Sequence, residues 1–238
     1  MQRANCMTYF FRYEPDGVHN MSIFIIRVVF VAVLLFAYMQ KHNKKLLQIT
    51  LSLGLFLQAA LFIWYSGNPV LFTKEGLPLY HCRLSAIMLA VSYFLKKKKW
   101  MRYFAWLGLL GAIIAFSFPD PSPFLWPHIT NVTYIGSHML LGLSAVIILC
   151  KEETELNDKD IFLYTVSMNL VISFANHFIG SNYGYLRALP KMFPFDFVPI
   201  QLIFILSVLI SVIISVTEKI YLYINRFYHK NVEEDIII

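Results

Sequence analysis

Apolar residues along the chain gather into runs too long for strands and too uniformly apolar for the one-sided stripe of a surface helix. They occupy Met21–Gln40, Leu46–Tyr65, Leu79–Leu95, Tyr103–Phe118, Val132–Cys150, Ile161–Ile179 and Phe197–Thr217. Each run has about 16 to 21 residues, close to the ~20 that an α-helix needs to cross the hydrocarbon of a bilayer. The pattern predicts an all-α polytopic membrane bundle of seven transmembrane helices joined by short polar segments. It divides the chain into an N-terminal extracellular segment (1–20), a transmembrane domain (21–217) and a cytoplasmic tail (218–238). The first run is read as a retained helix, not a signal peptide, because Lys-His-Asn-Lys-Lys follows it with no small-residue cleavage site.

Composition agrees with this solvent. Of the 238 residues, 58% are hydrophobic and 14% charged, and the mean hydropathy is +0.60, against roughly 45–50% and about 25% in soluble domains. So much apolar surface cannot be hidden inside one small soluble core. The net charge of +6 is concentrated in short runs beside apolar segments, Lys96–Lys99 above all. No nucleic-acid-binding motif accompanies them, so they are read as topology, and nucleic acid is excluded as a partner. Placing the N-terminus outside and the C-terminus inside puts 13 of the 20 Lys and Arg residues on the inner side and five on the outer. That bias favours N-out/C-in, a multi-pass protein of the cell membrane in contact with its lipids. Composition leaves the oligomeric state open.

Polar groups inside hydrocarbon are costly and so mark the bundle interior or a working site. The third run opens with Leu77-Pro78-Leu79-Tyr80-His81-Cys82-Arg83, read with Pro78 in the first helical turn and Cys82 about one turn below the outer surface. The fourth carries Gly108, Gly111, Ala112 and Ala115 on a face suited to close helix contact and ends at Pro119-Asp120. In the fifth, Tyr134, His138 and Gly142 share a face, with His138 roughly 10 Å below the surface. The sixth presents Asn169, Ser173, Asn176 and His177 before Gly180-Ser181-Asn182-Tyr183-Gly184-Tyr185. Cys82, Asp120, His138, Asn176 and Asn182 thus converge on the outer half. A thiol and an imidazole at matching depth are the minimum for acyl transfer through a thioester. Each also has a packing explanation, as a small core residue or an interhelical hydrogen-bond partner. A site of His81, His138 and His177 lacks paired ligand spacing, so neither metal nor cofactor is expected. Three cysteines at wide spacing form no disulfide framework; Cys6 and Cys82 share the outer side, and Cys150 falls on the other. A polar pocket of this kind also suits a transporter or receptor, although no inverted repeat is visible.

The order of these features resembles the YwaF-like family of integral membrane proteins. The resemblance rests on Leu77–Cys82, the Gly-rich fourth run ending in Pro119-Asp120, Tyr134–His138, and Asn176 through Asn182-Tyr183 to Leu189-Pro190. That family is similar to a eukaryotic multi-pass phospholipid acyltransferase whose functional pair is a Cys at a helix start and a downstream His. The resemblance implies Cys82 as nucleophile and His138 as base. His81, Arg83, Asp120, Asn176, Asn182 and Tyr183 are then expected to bind substrate or orient the pair.

Overall fold

The computed structural model describes residues 6–18, 20–152, 154–190 and 194–236, and every regular element among them is helical. Each apolar run carries a helix: α1 Ile23–Met39, α2 Lys44–Ser66, α3 His81–Phe94, α4 Lys98–Ser117, α5 Ile129–Lys151, α6 Asp158–Ile179 and α7 Pro199–Ile236. Five, namely α2, α4, α5, α6 and α7 as far as Phe227, are long and apolar enough to cross a membrane. The 17 residues of α1 and the 14 of α3 fall short of that length. At 1.5 Å per residue α3 rises only about 21 Å, against ~30 Å of hydrocarbon.

Two boundaries differ from the expectation. Helix α4 starts inside the lysine run, at Lys98, because lysine stems carry their ammonium groups to water while the backbone stays helical. Helix α7 continues to Ile236, through the segment expected as a tail. Its Glu218 is buried and paired: Arg102 Nε donates to both carboxylate oxygens, at 2.8 and 3.0 Å, and Trp106 Nε1 and the Leu156 amide donate to the same carboxylate. A glutamate so compensated no longer marks the end of an apolar helix.

The helices run alternately between two ends of the bundle. One end gathers Lys44, Lys96, Lys98 and Lys151 around a common cleft, and there Lys99 pairs with Asp160 and Lys219 with Asp158. The opposite end holds Cys82, the C-terminus of α4 and the loop after α6. Arg27 near the start of α1 donates there to the carbonyls of Phe116 and Ser117, completing the C-terminus of α4 where cations are favoured.

Helix α5 lies at the centre, against α1, α2, α3 and α4. The small-residue face of α4 permits this. A Cβ on Gly108 would stand 2.6 Å from Leu141 Cδ1 and 3.0 Å from its Cγ, and one on Gly142 would stand 2.7 Å from the Phe30 ring. The α6–α7 pair joins the rest through Arg102–Glu218 and through the Tyr103 and Thr165 hydroxyls at 2.8 Å. Phe24, Val28 and Leu35 of α1 and Ile200, Phe204 and Leu209 of α7 are exposed, an outward apolar surface that a bilayer would cover.

The segment before α1 forms a cap over the Cys82 end. Tyr13 stacks on Trp64, whose indole donates to the Phe11 carbonyl. Arg12 pairs with Asp16 at 2.8 Å and donates to the Leu125 and Pro127 carbonyls; its guanidinium holds the Asp16 carboxyl down at about 2. His128 donates from Nε2 to the Arg12 carbonyl and caps α5 by accepting the Thr130 amide at Nδ1. Burial holds its imidazole below its ordinary value, in the neutral form that this donor and acceptor pair requires.

The glycine packing is testable by thermal unfolding of the purified protein. A Cβ on Gly54 meets nothing within 4 Å, so Gly54→Ala is expected to be neutral or to stabilise by up to ~1 kcal/mol. Gly108→Ala should cost about 1–3 kcal/mol by overpacking against Leu141. The reverse ranking would show that α4 and α5 do not approach this closely.

Candidate functional site

Helix α3 begins at His81, not at Leu79. Tyr80 is its extended N-cap residue and supplies no side-chain cap, so Pro78 stands ahead of the helix instead of in its first turn. Cys82 consequently lies in the first turn. The amides of His81, Cys82 and Arg83 precede the first helical hydrogen bond, Leu84 N–H to Tyr80 O, and remain available.

What sets this start is the backbone before it. After α2 the chain makes a short turn at Pro69–Leu71 and a π-helical turn at Phe72–Gly76, then bends through Leu77–Tyr80, where the Leu79 amide donates to Leu77 O at 2.9 Å. Arg83 supplies the missing donors: Nη1 bonds Glu75 O at 2.6 Å and Leu77 O at 3.3 Å, Nη2 bonds Gly76 O at 3.1 Å, and Nε bonds Gln58 Oε1 at 3.2 Å. Tyr183, fully buried, accepts the Leu77 amide at its hydroxyl and reaches the Phe72 and Thr73 carbonyls.

The Cys82 sulfur fills the notch left by a missing side chain on α4, 2.8 Å from where a Gly111 Cβ would stand. Helices α4 and α5 are antiparallel, with Gly108 against Leu141 and the Tyr134 hydroxyl donating to Ala115 O. That register brings His138 level with Gly111. His138 donates from Nδ1 to the Tyr134 carbonyl at 2.7 Å, because only a protonated nitrogen can bond a carbonyl there, and Nε2 therefore carries the lone pair. Its ring packs between Tyr134 and Phe116, at centroid distances of 4.8 and 5.7 Å. Tyr185 donates to Asp120 at 3.0 Å.

The remaining candidates fall into two groups. His81 bonds through Nε2 to Asn169 Oδ1 at 2.8 Å, and Asn169 donates onward to Ser207; this chain ties α3 to α6 and α7. Its ring lies against Gly184, whose Cβ would stand 2.8 Å from His81 Cε1. Asn176, Asn182 and Tyr183 organise the loop after α6. Buried Asn176 donates to Tyr183 O and accepts from the Tyr183 amide and Ser181. Asn182 donates to Ala188 O and accepts the Arg187 and Ala188 amides. Their polar atoms are thus committed within the loop, which lies over the first turn of α3, with Tyr80 edge-on to Tyr183 at 5.3 Å. Among the described residues no three His, Cys, Asp or Glu side chains gather as a metal site, and Cys82 and Cys150 are free thiols. The Cys6 side chain, Arg3 and Lys191 lie outside the described residues.

Tyr185 escaped the sequence reading. The turn chemistry of Asn182-Tyr183-Gly184-Tyr185 holds its signal, since Gly184 and Tyr185 both adopt left-handed backbone, at φ 66° and 57°. A non-glycine residue held there usually answers to local function or packing.

Arg83→Lys should cost on the order of 2 kcal/mol or more in thermal unfolding, because one ammonium cannot reach three carbonyls and an amide in a planar fork. It should also speed hydrogen exchange at residues 72–84. Unchanged exchange there would remove Arg83 as the organiser of the α3 start.

The sequence model of the TMEM164 family, a family of membrane proteins, matches residues 16–218. No curated protein and no solved structure matches the chain. The match takes in every helix from α1 to α6, the greater part of α7, and the Cys82 end apart from the cap residues before position 16. With five apolar helices of spanning length, the protein is a multi-pass membrane protein, and the chain belongs to the TMEM164 family.

Proposed function

We propose that the protein is a lipid acyltransferase, or an acyl hydrolase, in which Cys82 is the nucleophile and His138 the base. The observation that carries this reading is the common level of the two residues at Gly111, with the Cys82 sulfur seated in the glycine notch and His138 in the tautomer whose Nε2 is free to accept a proton. The uncapped amides at the start of α3 add donors for the negative charge that develops during acyl transfer. The resemblance of Leu77–Cys82 and Tyr134–His138 to the YwaF-like family, and through it to a phospholipid acyltransferase, supports the same pair.

The chemistry runs in two balanced steps. His138 Nε2 takes the Cys82 proton as sulfur attacks the ester carbonyl of an acyl lipid. The tetrahedral oxyanion collapses, the carbon–oxygen bond breaks, and the departing lysolipid oxygen takes the proton back from His138, leaving a thioester on Cys82. A lysolipid hydroxyl, or water, then attacks the thioester with His138 again as base, and sulfur leaves to recover the Cys82 thiol. In this reading Asp120 and Tyr185 form the rim, His81 and Arg83 hold the α3 start, and Asn176, Asn182 and Tyr183 fix the loop above it.

Lipid profiles of cells expressing the wild type, Cys82→Ala and His138→Ala at matched protein levels test the assignment. Both substitutions should abolish the change in lipid acyl composition. With purified protein, a thioester-linked acyl group should appear on Cys82 and form at least about 100-fold more slowly in His138→Ala. A lipid change that survives both substitutions would sink the catalytic pair and favour a polar pocket that binds a solute without chemistry.

We also propose that all seven helices cross the bilayer, with the N-terminus outside and the C-terminus inside. The lysines gathered at one end support this orientation. The turns at residues 69–76 support the crossing of α3, because they carry chain at the Cys82 end that a helix of 14 residues lacks. Single-cysteine labelling in a Cys-free background should reach residue 97 only from inside and residue 122 only from outside. Labelling of residue 97 from outside would invert the orientation and move the Cys82 end to the inner leaflet.

A further inference from the structure

The lysine end of the bundle contains a feature that acyl transfer at Cys82 does not use. The start of α2, the end of α3, the start of α4 and the end of α5 border an open cleft of about 460 Å³. Lys44, Lys96, Lys98 and Lys151 line it, with Glu152 as the one acidic residue among the described residues, and its apolar wall includes Leu47, Phe94 and Met101. Lys98 pairs with Glu152 at 3.2 Å. Among the described residues Lys44, Lys96 and Lys151 have no carboxylate within ion-pair distance, so the described lining carries more positive than negative charge.

A topological account of these lysines requires only that they face water. It does not require four of them, drawn from three helices and a loop, to line one cleft with an apolar wall. Leu47 and Met101 are buried and Phe94 is exposed, so the wall leads from the bundle interior to the lipid-facing surface. Lys96, at φ 56°, is the left-handed residue of the turn that closes α3, with its amide on Tyr93 O at 3.1 Å and the Lys97 amide on Ser92 O at 2.9 Å, so the end of α3 fixes where this lysine leaves the backbone. We propose that this cleft binds the anionic phosphate headgroup of a phospholipid from the leaflet at that end, with an acyl chain laid against Leu47, Phe94 and Met101. Basic pockets between membrane helices suit such headgroups, because each ammonium near the surface attracts an anionic lipid and the apolar wall keeps the chain out of water. The site sits at the opposite end of the molecule from Cys82 and stands whether or not Cys82 is catalytic.

Full-length protein in detergent, titrated with phosphatidylglycerol or phosphatidylcholine and read by native mass spectrometry, tests the proposal. One phosphatidylglycerol should bind at least about tenfold more tightly than phosphatidylcholine, and Lys44→Gln/Lys96→Gln/Lys151→Gln should weaken it about ten- to hundredfold. Lys41→Gln/Lys45→Gln/Lys159→Gln removes the same charge from the same end outside the cleft and should leave affinity within about twofold. Equal losses in the two triple variants would assign the attraction to general surface charge and overturn the site, as would equal binding of the two lipids. Displacement of the lipid by millimolar inorganic phosphate, or binding of that phosphate alone with the same loss in the first triple variant, would make the ligand a free anion and overturn the lipid assignment.

Discussion

The Cys82 end depends on the three bonds that Arg83 makes to irregular backbone. Non-helical chain at membrane depth is tolerated only where protein groups satisfy its amides and carbonyls, since hydrocarbon offers none. Between α2 and α3 the chain breaks into two short turns and a bend, leaving the carbonyls of Glu75, Gly76 and Leu77 without helical partners. The Arg83 fork takes all three and Gln58 besides, while the Tyr183 hydroxyl bridges the same stretch from the far side. With those groups satisfied, the chain can begin a new helix at His81 without a capping side chain, and the first-turn amides stay unspent beside Cys82. The guanidinium is therefore a structural element in its own right: it converts a break in the helix into a fixed position for a thiol.

Close packing carries that position inward. Gly111 has no side chain, and the Cys82 sulfur occupies the space one would take. Gly108, one turn away on the same face of α4, lets Leu141 and with it the whole of α5 approach. Because interiors are close-packed and respond to a single added methyl, the glycines fix both the separation of α3, α4 and α5 and the antiparallel register that brings His138 to the level of Gly111. The donor bond to its own helix, at the Tyr134 carbonyl, then fixes the His138 tautomer.

Much of this was legible as pattern and little of it as contact. The apolar runs mark each of α1 to α7, because a length of apolar sequence is a local property. The glycine face of α4 and the Cys82 opening of α3 are likewise local. Boundaries set by partners were not legible. Glu218 reads as the end of an apolar helix until Arg102, 116 positions away in sequence, neutralises it. Arg83 reads as a residue that binds substrate or orients the Cys/His pair, because its acceptors are carbonyls of a turn that exists only in the folded chain. Asn176 and Asn182 read as groups facing a bundle interior, whereas their amides close the loop from Ser181 to Ala188 on itself. The N-terminal segment reads as a polar tail, yet it forms a cap whose bonds run to Trp64, Leu125 and His128.

The two ends of the bundle balance charge in opposite ways, and that difference follows from what each must hold. At the Cys82 end the cations Arg12, Arg27 and Arg83 are spent on backbone carbonyls, which fixes loops and leaves little free charge near the thiol. At the lysine end one buried pair, Arg102 with Glu218, ties α4 to α7 with 1% of each side chain exposed. Breaking such a pair strands a buried charge at a cost of about 3–5 kcal/mol, although the intact pair adds less to stability. Its value is therefore positional: it locks the α6–α7 unit onto α4 at the end of the bundle where the other cations are lysines. Arginine, with its planar fork, is used wherever geometry must be held, and lysine, a hydrated point charge on a flexible stem, is left where charge alone is needed.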